Sequence, residues 1–143
     1  MAGLNDILEG WRKDGIEWVR FELPDMHGTS RSKTIPIGHA FGYAQRGLNM
    51  YGGASVLDSR SDVVGGTLYN EERRYADQLL FPDPDTAAVV PWAYRTARLI
   101  CDARWYDGSR STSLRGRSTG GPWRDAEPWG TSPSRASSTS STC

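Results

Sequence analysis

Apolar and polar residues recur along this chain with two different periods. Leu4, Ile7, Leu8 and Trp11 fall at helical spacing, with Asn5, Asp6, Glu9, Arg12 and Lys13 outside the stripe. This predicts an amphipathic helix, closed by Gly15 in a left-handed cap and packed on its own domain. From Glu17 to Leu23 the period drops to two. Val19, Phe21 and Leu23 share one face, and Trp18, Arg20 and Glu22 the other. Pro24-Asp25-Met26-His27-Gly28 has turn chemistry, because proline presets φ, Asp bonds the following backbone and Gly tolerates positive φ. Thr29 to Ile37 returns as a more polar strand, so the two segments read as a β-hairpin. Gly38 to Arg46 reads as a short helix turning Phe41 and Ala44 inward, with Gly47 as its stop.

The second half is organised around Tyr75 to Asp102. Phe81-Pro82-Asp83-Pro84-Asp85 excludes helix, since each proline removes a donor and holds its predecessor extended. Ala87 to Val90 suits a short strand that Pro91 ends. A long strand follows and closes on Cys101-Asp102. Leu99, Cys101, Ala103 and Trp105 alternate with Arg98, Ile100, Asp102 and Arg104. Val56 to Arg74 is mostly polar and reads as a hairpin or extended flap with its charges in solvent. A hairpin, a crossing helix and further strands give an α+β class with a β-grasp-like arrangement. The expected organisation is a helix over 1–15, the β-grasp-like domain over 16–108, and a disordered tail over 109–143.

Composition narrows the functional classes. The 143 residues balance to a formal charge of +0, so no global pull draws the chain to nucleic acid or a membrane. No apolar run suits a signal peptide or a bilayer span, and the plain expectation is a cytoplasmic protein. Two cysteines, Cys101 and Cys143, make neither a disulfide framework nor a metal set.

Four places carry candidate chemistry. His27 stands alone at a loop tip and reads as a solvated turn residue. Met50 to Ser55, MYGGAS, is a glycine-rich loop, but it lacks a phosphate-binding lysine. Asp58 and Asp62 supply too few oxygens for a metal. Asp77 either caps the turn before a strand or belongs to a site.

An ordered set of motifs decides what these residues resemble. Asp77, Pro82 to Thr86, Pro91-Trp92, Asp102 and Asp107-Gly108 follow the order found in the N-terminal domain of the glutamine synthetase family. Phe21, Asp25, Gly28, Lys33 and Ile37 after Pro36, with the last position displaced by one, resemble that domain's first hairpin. The spacing is most similar to the branch joining glutamate to amines, such as the glutamate–putrescine ligases. The resemblance implies ATP-dependent ligation of ammonia or an amine to the γ-carboxylate of glutamate. It places ATP and Mg or Mn in a large C-terminal domain, so no cofactor or metal is expected within this chain. It implies a homo-oligomeric ring with active sites between subunits, and puts Asp77 at the rim of such a site. Ammonia-using members carry an Asp in the loop where this chain has Tyr51-Gly52-Gly53, so Tyr51 falls in the amine-site loop of an enzyme accepting a larger amine.

The segment from Ser109 to Cys143 has a different character. It is built from Ser, Thr, Gly, Arg and Pro, without helical or strand period, and it cannot bury enough surface to offset chain entropy. Five arginines and two tryptophans give a nucleic-acid reading by phosphate contact and stacking. A free-standing interaction module is the other alternative. A shifted reading frame is preferred to both. One base upstream, Leu114 to Gly121 can spell Ser-Pro-Arg-Ala-Val-Tyr-Arg-Arg. Pro128 to Thr131 can spell Ala-Leu-Gly-Tyr, and Ser137 to Cys143 Glu-Phe-Tyr-Leu-Leu-Asp-Val. Those strings resemble, in order, the segments that come after Asp-Gly in the family. The expectation is therefore a truncated, frameshifted ligase chain, inactive alone, with nucleic acid an unlikely partner.

Overall fold

Helix α1 spans Leu4–Lys13 in the computed structural model, which describes residues 3–109 and residue 111. Of the tail read as disordered from Ser109, residues 110 and 112–143 lie outside the described residues. The Ser109 carbonyl accepts the Trp105 N–H, and Ser111 is buried, its N–H donating to the Ala103 carbonyl, so the domain runs past Gly108. At the start of α1, Asp6 reaches back to accept the Gly3 backbone N–H at 3.1 Å, satisfying one of the orphan donors of a helix start. At its end Gly15 takes φ +79°. The Gly15 N–H then reaches the Arg12 carbonyl and the Ile16 N–H the Trp11 carbonyl, the paired bonds that close a helix through a left-handed residue. Leu8 and Trp11 are buried in the domain core, as the apolar stripe predicts.

Strand β1 (Trp18–Pro24) and strand β2 (Ser30–Pro36) form the expected hairpin, in register from Trp18 opposite Pro36 to Pro24 opposite Ser30. Its turn depends on Asp25, which is 3% exposed. One carboxylate oxygen accepts the backbone N–H groups of His27 and Thr29, at 2.9 and 2.8 Å. The other accepts Nε of Arg31 at 2.9 Å.

Helix α2 (Ile37–Arg46) follows directly and corrects one expectation. Ala40 and Ala44, one turn apart, face the sheet and are buried, while Phe41 is 38% exposed. Ile37, Ala40 and Ala44 share a face at helical spacing, which rotates Phe41 to the flank. Strand β3 (Leu48–Tyr51), strand β4 (Asp77–Pro82), the short strand β5 (Ala88–Val89) and strand β6 (Thr96–Arg104) complete the sheet.

The sheet order is β2-β1-β6-β4-β3, with β5 also paired to β6. Only β1 and β6 run parallel; every other pairing is antiparallel. The fold is therefore α+β, a mixed sheet with two helices, as the alternation predicts. Val19, Phe21 and Leu23 of β1 join Leu99, Cys101 and Ala103 of β6 and Leu80 of β4 on the buried face, beneath both helices. Three details differ from expectation. β6 continues past Asp102 to Arg104. The proline segment carries one 3-10 turn, Pro84–Thr86, in which the Asp83 side chain accepts the Asp85 N–H. Val56 ends a 3-10 turn, Gly52–Val56, and residues 57–74 form no hairpin, only irregular turns and a second 3-10 turn at Glu71–Arg73.

Gly47 stops α2 at φ +84° and ψ 140°, a region open essentially to glycine alone. A Cβ there would also lie 2.8 Å from Cβ of Leu79 and 3.0 Å from the Phe81 ring. Gly47→Ala is expected to lower unfolding stability by about 2 kcal/mol or more, read from urea denaturation. For Asp25, burial pushes the carboxyl up, but hydrogen bonds from Thr29, Arg31 and His27, with the Arg31 charge, outweigh it and hold it below its ordinary value. A carboxyl lowered in the folded state stabilises fully above its unfolded value, about pH 4, and loses that contribution as pH falls through the folded value. Asp25→Asn is expected to be less stable at neutral pH and to show a flatter loss of stability below about pH 4.

Candidate functional site

Antiparallel pairing of β3 with β4 sets Tyr51 directly opposite Asp77. The two residues singled out from the sequence thus share one register position, on the sheet face away from the helices. Asn49, two residues before Tyr51 on the same face, donates its side-chain amide to Oδ2 of Asp77 at 2.9 Å. Asp77 is the first residue of β4 and half-buried.

The Tyr51 hydroxyl is hydrogen-bonded to Oδ1 of Asn70, a residue 1% exposed. Asn70 in turn donates to the Val64 carbonyl and, at 2.9 Å, to the Thr67 hydroxyl. Its own carbonyl accepts from Arg73 and Tyr75. One buried amide therefore ties the irregular 64–75 segment to the end of β3. Burial pushes the Tyr51 hydroxyl above its ordinary value, reinforced by Tyr75 and Glu71, so it remains a protonated donor at neutral pH.

The glycine pair does not cradle a phosphate. Gly52 and Gly53 lie buried in a 3-10 turn, and the Gly52 N–H is taken by the Ala76 carbonyl at 3.0 Å. A Cβ on Gly52 would lie 2.8 Å from that carbonyl and closer still to the Trp105 ring. A Cβ on Gly53 would meet the Tyr51 hydroxyl and Asn70. The glycines are there because nothing larger fits between Tyr51, Asn70 and Trp105.

Beside this turn opens a cleft of ≈ 360 Å³ with Arg73, Arg74, Asp77, Trp105 and Asp107 in its wall. The Arg73 guanidinium lies 4.8 Å over the Trp105 ring and 3.4 Å from Asp107. Hydrogen bonds from the Ser109 hydroxyl and backbone N–H hold the Asp107 carboxyl below its ordinary value, aided by Arg73 against a smaller effect of burial. Arg74 and Tyr75 are consecutive residues at positive φ, 52° and 56°, which turns the chain back sharply into Asp77. The wall therefore carries both signs of charge, with Trp105 buried beneath the Arg73 guanidinium. Asp77 can accept hydrogen bonds from an ammonium group there.

The other candidates do not join this site. His27 is exposed at the hairpin tip, its Nε2 3.1 Å from the Leu57 carbonyl. Asp58 spends one oxygen on the backbone N–H groups of Arg60 and Asp62, each at 2.8 Å. Among the described residues no group of three or more His, Cys, Asp or Glu is placed to hold a metal, and none of their helices is long and apolar enough to cross a membrane. Sequence reasoning did not find Asn70, Arg73 or Trp105 as parts of the site. The only signal was Trp105 continuing the buried alternation of β6.

An α+β domain with paired edge strands and a mixed-charge cleft is the class that the geometry defines. No known protein-family profile matches the chain. Individual proteins do. It is 36% identical over 104 residues to Lengsin of Homo sapiens, covering 69% of this chain and 19% of that protein. It is 31% identical over 100 residues to a glutamine synthetase of Halobacterium salinarum, covering 67% and 19%. Among solved structures, a GmaS/ADP complex matches with TM-score 0.56 and 25% identity, covering 75% of this chain and 22% of that one. A glutamine synthase homolog at 21% identity and TM-score 0.55 shares the fold. The chain belongs to the glutamine synthetase family through that family's N-terminal domain, and the match spans about a fifth of these relatives' length.

Tyr51→Phe leaves the Asn70 amide oxygen buried without its donor, at a cost of about 1–3 kcal/mol. The variant is expected to be cleaved faster within residues 64–75 in limited proteolysis, with the hairpin and β6 protected as in the parent chain.

Proposed function

We propose that this domain supplies one wall of a ligase active site that joins ammonia or an amine to the γ-carboxylate of glutamate at the expense of ATP. The pairing of Tyr51 with Asp77 at the edge of the cleft supports this reading most directly. In it, Asp77 is a rim carboxylate that holds an ammonium group, and Tyr51 stands in the amine-site loop where ammonia-using members carry an acid. The lack of a carboxylate in Tyr51-Gly52-Gly53 favours an amine larger than ammonia. The β-grasp-like reading is supported by the central β1–β6 pair with α2 packed across the sheet.

The donor set of this cleft does not fit a resident metal or ATP. It has no triad of ligating side chains, and the Gly52 N–H is occupied. No step is assigned through either group; the family resemblance puts ATP and Mg or Mn in a large C-terminal domain. On this reading the protein works in the cytoplasm as part of a homo-oligomeric ring, with sites shared between subunits. The division is then a leading segment over 1–15 that carries the first helix, the domain over 16–108, and a tail over 109–143, read as out of frame, that leaves this chain inactive alone.

Two measurements test the proposal. Sequencing the gene from the Asp107 codon onward is expected to find an open frame one base upstream that continues with acidic metal-binding motifs. The 143-residue chain, supplied with glutamate, ATP, Mg²⁺ and an amine, is expected to release no phosphate above blank. The frame-restored protein should be active, with kcat/KM falling about 10²-fold in Asp77→Asn. Ligase activity in the 143-residue chain, or full activity in Asp77→Asn, would overturn the assignment.

A further inference from the structure

The sheet face away from the helices carries an arrangement that the ligase reading does not use. Arg20 of β1 and Arg98 of β6 are direct partners in the parallel pairing, and like charges placed opposite each other are destabilising unless an anion lies between them. Glu22 provides that anion from one step along β1. Its oxygens lie 3.2 Å from Nε of Arg20 and 3.3 Å from Arg98. Glu22 is 4% exposed, so its charge is held by the two guanidinium groups. One carboxylate facing two guanidinium groups leaves an excess positive charge. The Arg20 Nε, though near Glu22, is buried and poorly aligned, so its N–H makes no hydrogen bond.

Both guanidinium groups are partly exposed, among small and polar neighbours. Nη2 of Arg20 donates to the Ser32 hydroxyl at 2.9 Å, fixing the plane of that guanidinium. Thr34 lies opposite Arg20 and adds a hydroxyl, while Ala88 lies opposite Arg98 and adds almost no bulk. Arg98 keeps 37% of its side chain exposed. Each guanidinium has five N–H donors in a fixed fork, and planar forks match the oxygens of carboxylates and phosphates.

We propose that Arg20 and Arg98, positioned by Glu22 and Ser32, form a binding site for an oxyanion group, phosphate or carboxylate, on the open sheet face. The site is independent of the cleft at Asp77 and of the family reaction. Glu22 is a positioning residue, because it orients both guanidinium groups and leaves their outer donors free.

The test is NMR titration of the full 143-residue chain with inorganic phosphate and, separately, acetate, following the arginine Nε–Hε signals at constant ionic strength. Saturable shifts confined to Arg20 and Arg98 are expected, with affinity falling about tenfold in Arg98→Gln, the size of effect expected from losing one charge-assisted bond. Arg98→Lys, which keeps the charge but not the fork, should fall as well, and the exposed Arg12→Gln should bind like the parent. A response to phosphate alone assigns a phosphate-bearing ligand, and a response to acetate assigns a carboxylate. Equal shifts with sodium chloride, or unchanged affinity in both Arg98 variants, would overturn the site.

Discussion

The two halves of the sheet, which α2 also spans on the buried face, are joined by the nine residues of β6. Its first half pairs in parallel with β1, which carries the hairpin, and with the short β5. Its second half pairs with β4, which carries β3 and the candidate site. Nothing else in the sheet joins the two sides. Leu99 and Cys101, at the changeover, are fully buried. A polar residue at either place would therefore disturb the core and both pairings at once, a larger effect than any single contact suggests.

Much of this was legible because the pattern was uninterrupted. β1 and β6 alternate cleanly, and α1 keeps its stripe, so faces and caps followed from residue type alone. β4 was not legible, and Gln78 explains why. This amide is fully buried on the core face between Asp77 and Leu79, so the apolar–polar rhythm fails where the strand begins. β3 was hidden similarly, because Met50-Tyr51 runs straight into two glycines and reads as loop. Phe41 was misplaced because a large apolar residue looks like core, whereas the space beneath α2 admits only alanine.

The candidate site shows a different limit. Asp77 and Tyr51 could be named individually, but their juxtaposition is a matter of register, and no single segment encodes the register between β3 and β4. Asn70 carried no signal at all. A polar residue in a polar stretch reads as solvent-exposed, and only its three-way anchoring of Tyr51, Val64 and Thr67 explains its burial. Asp77, read as either a turn cap before a strand or a site rim, is the first residue of β4, and its carboxylate accepts the Asn49 amide.

The parallel pairing has a consequence for how the chain acquires its shape. Glu17 and Arg95, which are joined at the mouth of that pairing, stand 78 residues apart along the chain. Loop closure over such a distance has to be met before its contacts contribute, and folds rich in distant pairings form slowly. The hairpin of β1 and β2 closes locally and early, but β1 then waits with one edge bare until β6 arrives. On the ribosome that interval covers most of the domain's synthesis, with unpaired backbone groups along that edge and Val19, Phe21 and Leu23 on a face not yet fully covered. The fold is thus most exposed to misassembly just before its last strand emerges, and most committed immediately after.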